Sequence, residues 1–287
     1  MAGFPVQRTS MYKGVDLSSA AVPLSFNDQV VAGNVILVFS SGWNIAENGS
    51  VLGAVRDNVG NVYKRLVTSS GQSHGYIEIF AAVNTTTSNI TLTLIPAVNN
   101  LSTRISVQGV EWVGIEDIQV LAQTATGYAQ PNANSLHLAT GPSLQKQNLL
   151  VISALGMLWP QPTKNIVKPP EYTLLEAVQS TPANEMSLAI AYRRVDSLSA
   201  NEALWSFAAQ TQGAQGVLLA LATKKTVKYV RVAFDPAASL ASNFIYQVHR
   251  KPVVENRIFG DFIFNGSVAN IPASRNAQGK VEIAVPV

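Results

Sequence analysis

The side chains that could act as acids, bases or metal ligands are few and scattered along the chain. The histidines are widely separated, and none belongs to a closely spaced pair of the kind that binds zinc: His74, His137 and His249. The chain contains neither a Gly-x-Ser-x-Gly nucleophile elbow nor a glycine-rich phosphate loop before a helix. A Ser-His-Asp triad stays open, because its members can be distant in sequence. We expect no catalytic residue and no cofactor.

Three acids that are close in sequence, Glu111, Glu116 and Asp117, are the obvious carboxylate candidates. Two carboxylates at the correct separation are enough to hydrolyse a glycosidic bond. However, Glu111 falls within an alternating strand pattern, and the other two follow in the turn after it. We therefore interpret all three as solvated strand and turn residues.

The segment from Asp57 to Asn61 could bind a metal ion or form a turn. Asp57, Asn58 and Asn61 offer oxygen atoms of the kind that calcium prefers. One acid in five residues is a poor set of ligands for calcium, whereas Asn and Gly readily adopt turn conformations. The segment is predicted to be a turn between two strands, with a metal site as the weaker alternative.

Two tryptophans, Trp43 and Trp159, stand at the ends of matching apolar segments, where each enters a loop. Such rings either cover the core of a sandwich or stack on sugars and protein partners. They are the candidate ligand or partner contacts of this chain. Trp112 and Trp205 lie within strand patterns and are predicted to be core residues.

Composition limits the classes of function. The chain is 47% hydrophobic and 13% charged. It has no cysteine, so disulfides and cysteine-ligated metals are excluded. The absence of cysteine also favours a bacterial or viral origin. A net charge of +3 is too small to indicate a nucleic-acid partner. The first residues lack the pattern of a signal peptide, and no apolar run approaches the ~20 residues that span a bilayer. We expect neither a nucleic-acid nor a membrane partner.

Strand patterns dominate the sequence, and they occur twice. Val35 to Ser40 and Leu149 to Ala154 are continuous apolar runs, typical of strands that are buried on both faces. Four segments of the first half recur in the same order in the second: 33–40 with 147–153, 63–67 with 172–176, 77–82 with 188–192 and 108–113 with 215–220. The prediction is an all-β, jelly-roll-like sandwich with two loosely repeated halves, connected by residues 128–134.

Three regions follow from this pattern. Residues 1–14 are predicted to be an N-terminal arm that docks on a neighbouring subunit, and residues 15–223 to be the sandwich. Residues 224–287 carry four further strand patterns and are predicted to form a small β module. About 60 residues are marginal for an independent core.

The motifs of the first half resemble a β-sandwich domain of phage structural and bacterial surface proteins. The resemblance rests on the apolar strand at 33–38, the pattern Val55-x-Asp57-x-x-Gly60-Asn61-x-Tyr63, and the strand that ends at Asn84. Asn34 stands where that family usually has an acid. The resemblance covers residues 15–223, and residues 230–287 are similar to small Ig-like modules that are appended to tail and baseplate proteins.

The resemblance implies a non-enzymatic structural protein of a bacteriophage virion. A tail, baseplate or fibre component comes first and a capsid decoration protein second. Its partners would be other virion proteins and further copies of itself, with a trimer as the implied outcome for a fibre. Two alternatives stay open: a carbohydrate-binding or receptor-binding adhesin that uses Trp43 and Trp159 on a host surface glycan, and a glycan depolymerase.

Overall fold

The chain divides into two compact units, Met1–Lys225 and Thr226–Val287. The computed structural model of the chain describes residues 4–13, 22–43, 52–70, 75–97, 104–116, 118, 122–142, 148–157, 165–179, 187–195, 199–208, 213–224, 229–234, 245–248, 264–267, 273–275 and 281–286. These residues form an all-β protein of antiparallel sheets, which confirms the predicted fold class. No helix of the described ranges is long and apolar enough to cross a membrane.

The first half of the larger unit contains two antiparallel sheets. Its strands are β1 (Phe4–Lys13), β2 (Val22–Ser25), β3 (Val35–Trp43), β4 (Leu52–Asp57), β5 (Lys64–Ser70), β6 (Gly75–Val83), β7 (Thr91–Pro96) and β8 (Arg104–Val113). The larger sheet has the order β1-β8-β3-β6-β5, and the smaller has the order β2-β7-β4.

The second half repeats this topology. Its strands are β9 (Gln123–Ala129), β10 (Ser135–Ala139), β11 (Leu149–Met157), β12 (Thr173–Gln179), β13 (Ser187–Val195), β14 (Glu202–Ser206) and β15 (Ala214–Ala222). The larger sheet, β9-β15-β11-β13-β12, has the connectivity of β1-β8-β3-β6-β5, and β10 pairs with β14 as β2 pairs with β7. Val167 forms an isolated bridge with Ser206 of β14. It takes the place beside β14 that β4 takes beside β7 in the first half. The repeat inferred from sequence is therefore present in the strand order.

The four sheets stack as two sandwiches placed back to back. An inner core lies between the two five-stranded sheets and contains Val35, Leu37 and Phe39 of β3. The alternate residues of that strand, Ile36 and Val38, face an outer core against the small sheet of the first half. The second half has its own outer core. Because β3 and β11 are covered on both faces, their sequences are apolar at nearly every position, as predicted.

The two halves are related by an approximate two-fold rotation about an axis parallel to the central strands. The central strand β3 lies over β11, its equivalent in the other half. At the edges, β1 lies over β12 and β5 lies over β9, so each edge strand faces a strand that is not its equivalent in the repeat. Arg8 on β1 donates to the carbonyl of Leu175 on β12. On the other side, Ser69 on β5 donates to the carbonyl of Gly127 on β9 at 3.4 Å. The larger unit thus has the arrangement of a two-fold dimer within one chain.

The close approach of the inner sheets depends on Gly156 of β11. A Cβ at this position would lie 2.3 Å from the Ser41 Oγ and 3.1 Å from the Ser41 Cβ. Gly156→Ala is therefore expected to lower the free energy of unfolding by about 1–3 kcal/mol, measured by chemical denaturation. Adding Ser41→Gly should recover part of this loss, because it removes both clashing atoms.

A glycine with open space provides the control for this prediction. A Cβ on Gly141 meets no atom within 4 Å, so Gly141→Ala is expected to leave stability within about 0.5 kcal/mol of wild type. Additive effects of Gly156→Ala and Ser41→Gly would show that the two positions do not oppose each other across the inner core.

Two connections differ from the sequence prediction. Residues Phe4–Lys13 do not form an arm for a neighbour but pair with β8 of the same chain, with a bulge between Pro5 and Gln7. Tyr128 and Ala129 belong to β9 and do not connect the halves. Both segments form edge strands, where polar and proline residues are tolerated because one side of an edge strand has no ladder partner.

In the smaller unit, Thr226–Val287, the described residues form five short strands where the sequence predicted four. They are β16 (Tyr229–Phe234), β17 (Ile245–Val248), β18 (Phe264–Ser267), β19 (Ala273–Arg275) and β20 (Val281–Pro286). They form the sheets β16-β20-β19 and β17-β18.

Candidate functional site

The tryptophans predicted to contact a ligand fall largely outside the described residues. Trp43 is the last residue of β3, and its backbone pairs with Gly75 and Arg104, but its side chain is not described. Trp159 lies outside the described residues, as do His74, Asp117 and His249. Trp112 and Trp205 are fully buried, as predicted.

The Asp57 carboxylate is occupied by hydrogen bonds from its own turn. Its Oδ1 accepts the amides of Val59, Gly60 and Asn61 at 3.1, 2.8 and 3.0 Å. Its Oδ2 accepts Asn61 Nδ2 at 2.7 Å and the Tyr63 hydroxyl at 3.0 Å. These donors surround both oxygens, so the geometry is that of a turn and not of a cation site. Within the described ranges, no three His, Asp or Glu side chains cluster as a metal centre would require.

The same network extends to the end of β6. Asn61 Nδ2 donates to Asn84 Oδ1 at 2.9 Å, and Asn84 Nδ2 donates to the Val30 carbonyl at 2.8 Å. Asn58 accepts the Thr91 amide at 2.8 Å. Burial, followed by the charge and hydrogen bond of Asp57, raises the pKa of Tyr63 well above its usual value. The polar residues of the sequence motif therefore join strand ends of the first sandwich.

Asp57→Ala is expected to lower the free energy of unfolding by about 2–3 kcal/mol, because it removes a charged acceptor that five donors share. Asp28→Ala, at an exposed acid in another turn, should change it by about 0.5 kcal/mol or less. Thermal melts of both variants and of wild type, with calcium and with a chelator, provide the measurement. A wild-type melting temperature that rises with calcium and no longer does so in Asp57→Ala would contradict the assignment as a turn.

Glu111 is buried, which corrects its prediction as a solvated residue. Its carboxylate accepts Gln7 Nε2 at 2.7 Å, the Val31 amide at 2.8 Å and Asn34 Nδ2 at 2.7 Å. Asn34 stands where the resembled family has an acid, and here its amide donates to Glu111. Glu116 is exposed, as predicted.

A groove on the second sandwich combines charged, polar and apolar side chains in one open space of about 540 Å³. Its walls come from the turn before β12, from β10, β13 and β14, and from the segment before β14: His137, Pro169, Pro170, Glu171, Arg193, Ala200, Glu202 and Leu204. The alternation of β10 and β14 places His137, Glu202 and Leu204 on the exposed face and their neighbours in the core.

Arg193 is the fixed centre of this groove. Its Nη1 donates to Glu171 Oε2 at 2.9 Å, its Nη2 donates to Asn201 Oδ1 at 3.1 Å, and its guanidinium lies over the Tyr172 ring at 4.9 Å. Burial raises the pKa of Tyr172 to about 12, although the nearby Arg193 charge opposes this rise. The Tyr172 hydroxyl donates to the Glu202 carbonyl at 3.0 Å. The cation therefore has a defined position beside the Glu171 carboxylate.

On the exposed sheet face, His137 and Glu202 form the second polar pair of the groove. His137 Nε2 lies 3.4 Å from Glu202 Oε2, and both side chains are more than half exposed. Glu171 has a positive φ of 63°, which is uncommon outside glycine.

Glu171, Arg193 and Glu202 were not predicted as site residues, because they are distant from one another in the chain. The polar alternation of residues 135–139 and 202–206 was a usable signal of an exposed sheet face.

The two sandwiches differ in how they use their equivalent tyrosines. In the first, the Tyr63 hydroxyl donates to the Asp57 side chain, which also closes the turn. In the second, the Tyr172 hydroxyl donates to a backbone carbonyl, and the carboxylates of Glu171 and Glu202 line the groove.

Comparisons with protein-family models, with curated proteins and with solved structures give no match to this chain.

Proposed function

We propose that this chain is a non-enzymatic structural protein of a bacteriophage virion, which acts by protein–protein assembly. A tail, baseplate or fibre component is the first choice and a capsid decoration protein the second. The supporting observation is the four-layer stack, in which the central strands β3, β11 and β15 are buried on both faces. Such a body is stiff, because closely packed interiors resist deformation, and stiffness suits a repeated component of a particle.

The use of the buried acids supports the same proposal. Glu111 joins β1 and the turn before β3 to β8. Glu78 on β6 accepts the Leu52 amide at 2.9 Å and lies 3.6 Å from Arg65. Each carboxylate connects neighbouring segments, which is the role of a structural buried charge.

Two measurements test the proposal. Mass spectrometry of purified particles, released on lysis of the host that carries this reading frame, should find the chain at a fixed copy number. Light scattering of the purified chain should give a defined oligomer, and truncation before Val227 should show whether the smaller unit is needed for it. A chain that is absent from the particles and monomeric would contradict the proposal.

The second candidate is a carbohydrate-binding or receptor-binding protein, which the mixed groove of the second sandwich favours. A virion component that binds host glycans would combine both functions, since repetition in a particle multiplies weak contacts. Release of reducing ends from host capsule by the purified chain would instead support a glycan depolymerase.

A further inference from the structure

We propose that the groove around Arg193 binds a short neutral oligosaccharide. The site stands independently of the virion assignment, because it rests on the groove's own side chains. Its volume of about 540 Å³ lies within the range of small-ligand sites.

The charges of the groove favour a neutral ligand. Arg193 and Glu171 form an ion pair at 2.9 Å, so their charges offset each other. Glu202 lies beside His137, which leaves one net negative charge when the imidazole is neutral and none when it is protonated. A phosphate or other polyanion would face two carboxylates, and a polycation would find little net charge to bind.

The hydrogen-bonding groups of the groove suit hydroxyls. The carboxylates of Glu171 and Glu202 accept, whereas the guanidinium of Arg193 and the imidazole of His137 donate. A sugar hydroxyl both donates and accepts, so neighbouring hydroxyls can bridge a carboxylate and a guanidinium. This mixture would be poorly used by an apolar ligand.

Apolar walls complete the complementarity. Leu204 is 45% exposed, although it is a large hydrophobic residue, and it lies directly opposite His137 in the strand register. Pro170 and Ala200 also line the space. The C–H faces of a sugar ring would pack on these side chains, while its hydroxyls reach the polar groups.

Arg193, the central polar group of the groove, is positioned before any ligand binds. Arg193 is fixed by Glu171, Asn201 and the Tyr172 ring. Glu202 lies on β14, which is anchored in the core by the fully buried Trp205 of the same strand. Groups that are already ordered lose less entropy on binding, which is what a site for a weakly hydrophobic sugar needs.

The test is binding of the full chain to an array of bacterial surface oligosaccharides, followed by calorimetry with the best neutral glycan. Glu202→Ala and Leu204→Glu change exposed groove residues and are expected to weaken binding at least tenfold without lowering the melting temperature. Glu116→Ala, at an exposed acid outside the groove, should bind as wild type does.

Two results would overturn the proposal. One is an array on which no neutral glycan is retained. The other is a retained glycan whose affinity is unchanged in both groove variants. If the binding of such a glycan is instead lost in Trp43→Ala or Trp159→Ala, the sugar site belongs to those tryptophans and not to the groove.

Discussion

Replacing Glu111 with alanine is expected to lower the free energy of unfolding by about 3 kcal/mol. The carboxylate is fully buried and accepts three hydrogen bonds, so its removal leaves the buried Asn34 amide and the part-buried Val31 N–H without their acceptor. Gln7 also loses its bond to Glu111, and this bond connects β1 to β8. Chemical denaturation measures the loss, and hydrogen exchange should show faster opening of β1 and of the turn before β3.

The controls separate charge from burial. Glu111→Gln keeps the shape but replaces one acceptor with a donor, so its loss should be smaller than that of alanine. Glu116→Ala removes an exposed acid from the segment that follows β8 and should stay within about 0.5 kcal/mol of wild type. Equal stability of Glu111→Ala and Glu116→Ala would mean that the three hydrogen bonds contribute nothing net to folding.

The sequence was sufficient to predict the central strands and the internal repeat, but not the register of the repeat. Continuous apolar runs identified β3 and β11 as central strands, and this was correct. The matched segments align Val35 with Leu149, yet Val35 faces the inner core and Leu149 the outer core of the second sandwich. Leu150 is the residue that faces inward. A slip of one residue exchanges the two faces of a strand, and a run that is apolar at every position carries no signal against the slip.

The polar positions of β8 show a second limit of sequence analysis. Its alternation of polar and apolar residues predicted a half-solvated strand, but Ser106, Gln108 and Glu111 are all buried. Glu111 finds its donors on Gln7 and Asn34, which are far away in sequence. A pattern within one strand reports polarity, whereas burial depends on what the other strands place over it. The groove around Arg193 was missed for the same reason.

Trp205→Ala is expected to have the largest effect on the second sandwich, a loss of about 3–5 kcal/mol in the free energy of unfolding. The side chain lies on β14, is fully buried in the outer core, and donates from Nε1 to Ser153 Oγ on β11 at 2.8 Å. It therefore joins the small sheet to the large one. The adjacent exposed positions, Leu204 and the nearby Glu202, line the groove, so loosening β14 should also disorder the groove.

Two milder variants test whether packing or the hydrogen bond dominates. Ser153→Ala removes the acceptor of the indole and a 3.3 Å hydrogen bond to the Val217 carbonyl, and it should cost about 1–3 kcal/mol, because a buried indole N–H is left unpaired. Trp205→Phe keeps most of the apolar contact but loses the hydrogen bond and some volume, so its loss should fall between those of Ser153→Ala and Trp205→Ala. Thermal and chemical denaturation provide the ranking, and glycan binding reports on the groove. If Trp205→Phe were as stable as wild type while sugar binding disappeared, the tryptophan would act on the groove directly, and the role of β14 as a packed support would be wrong.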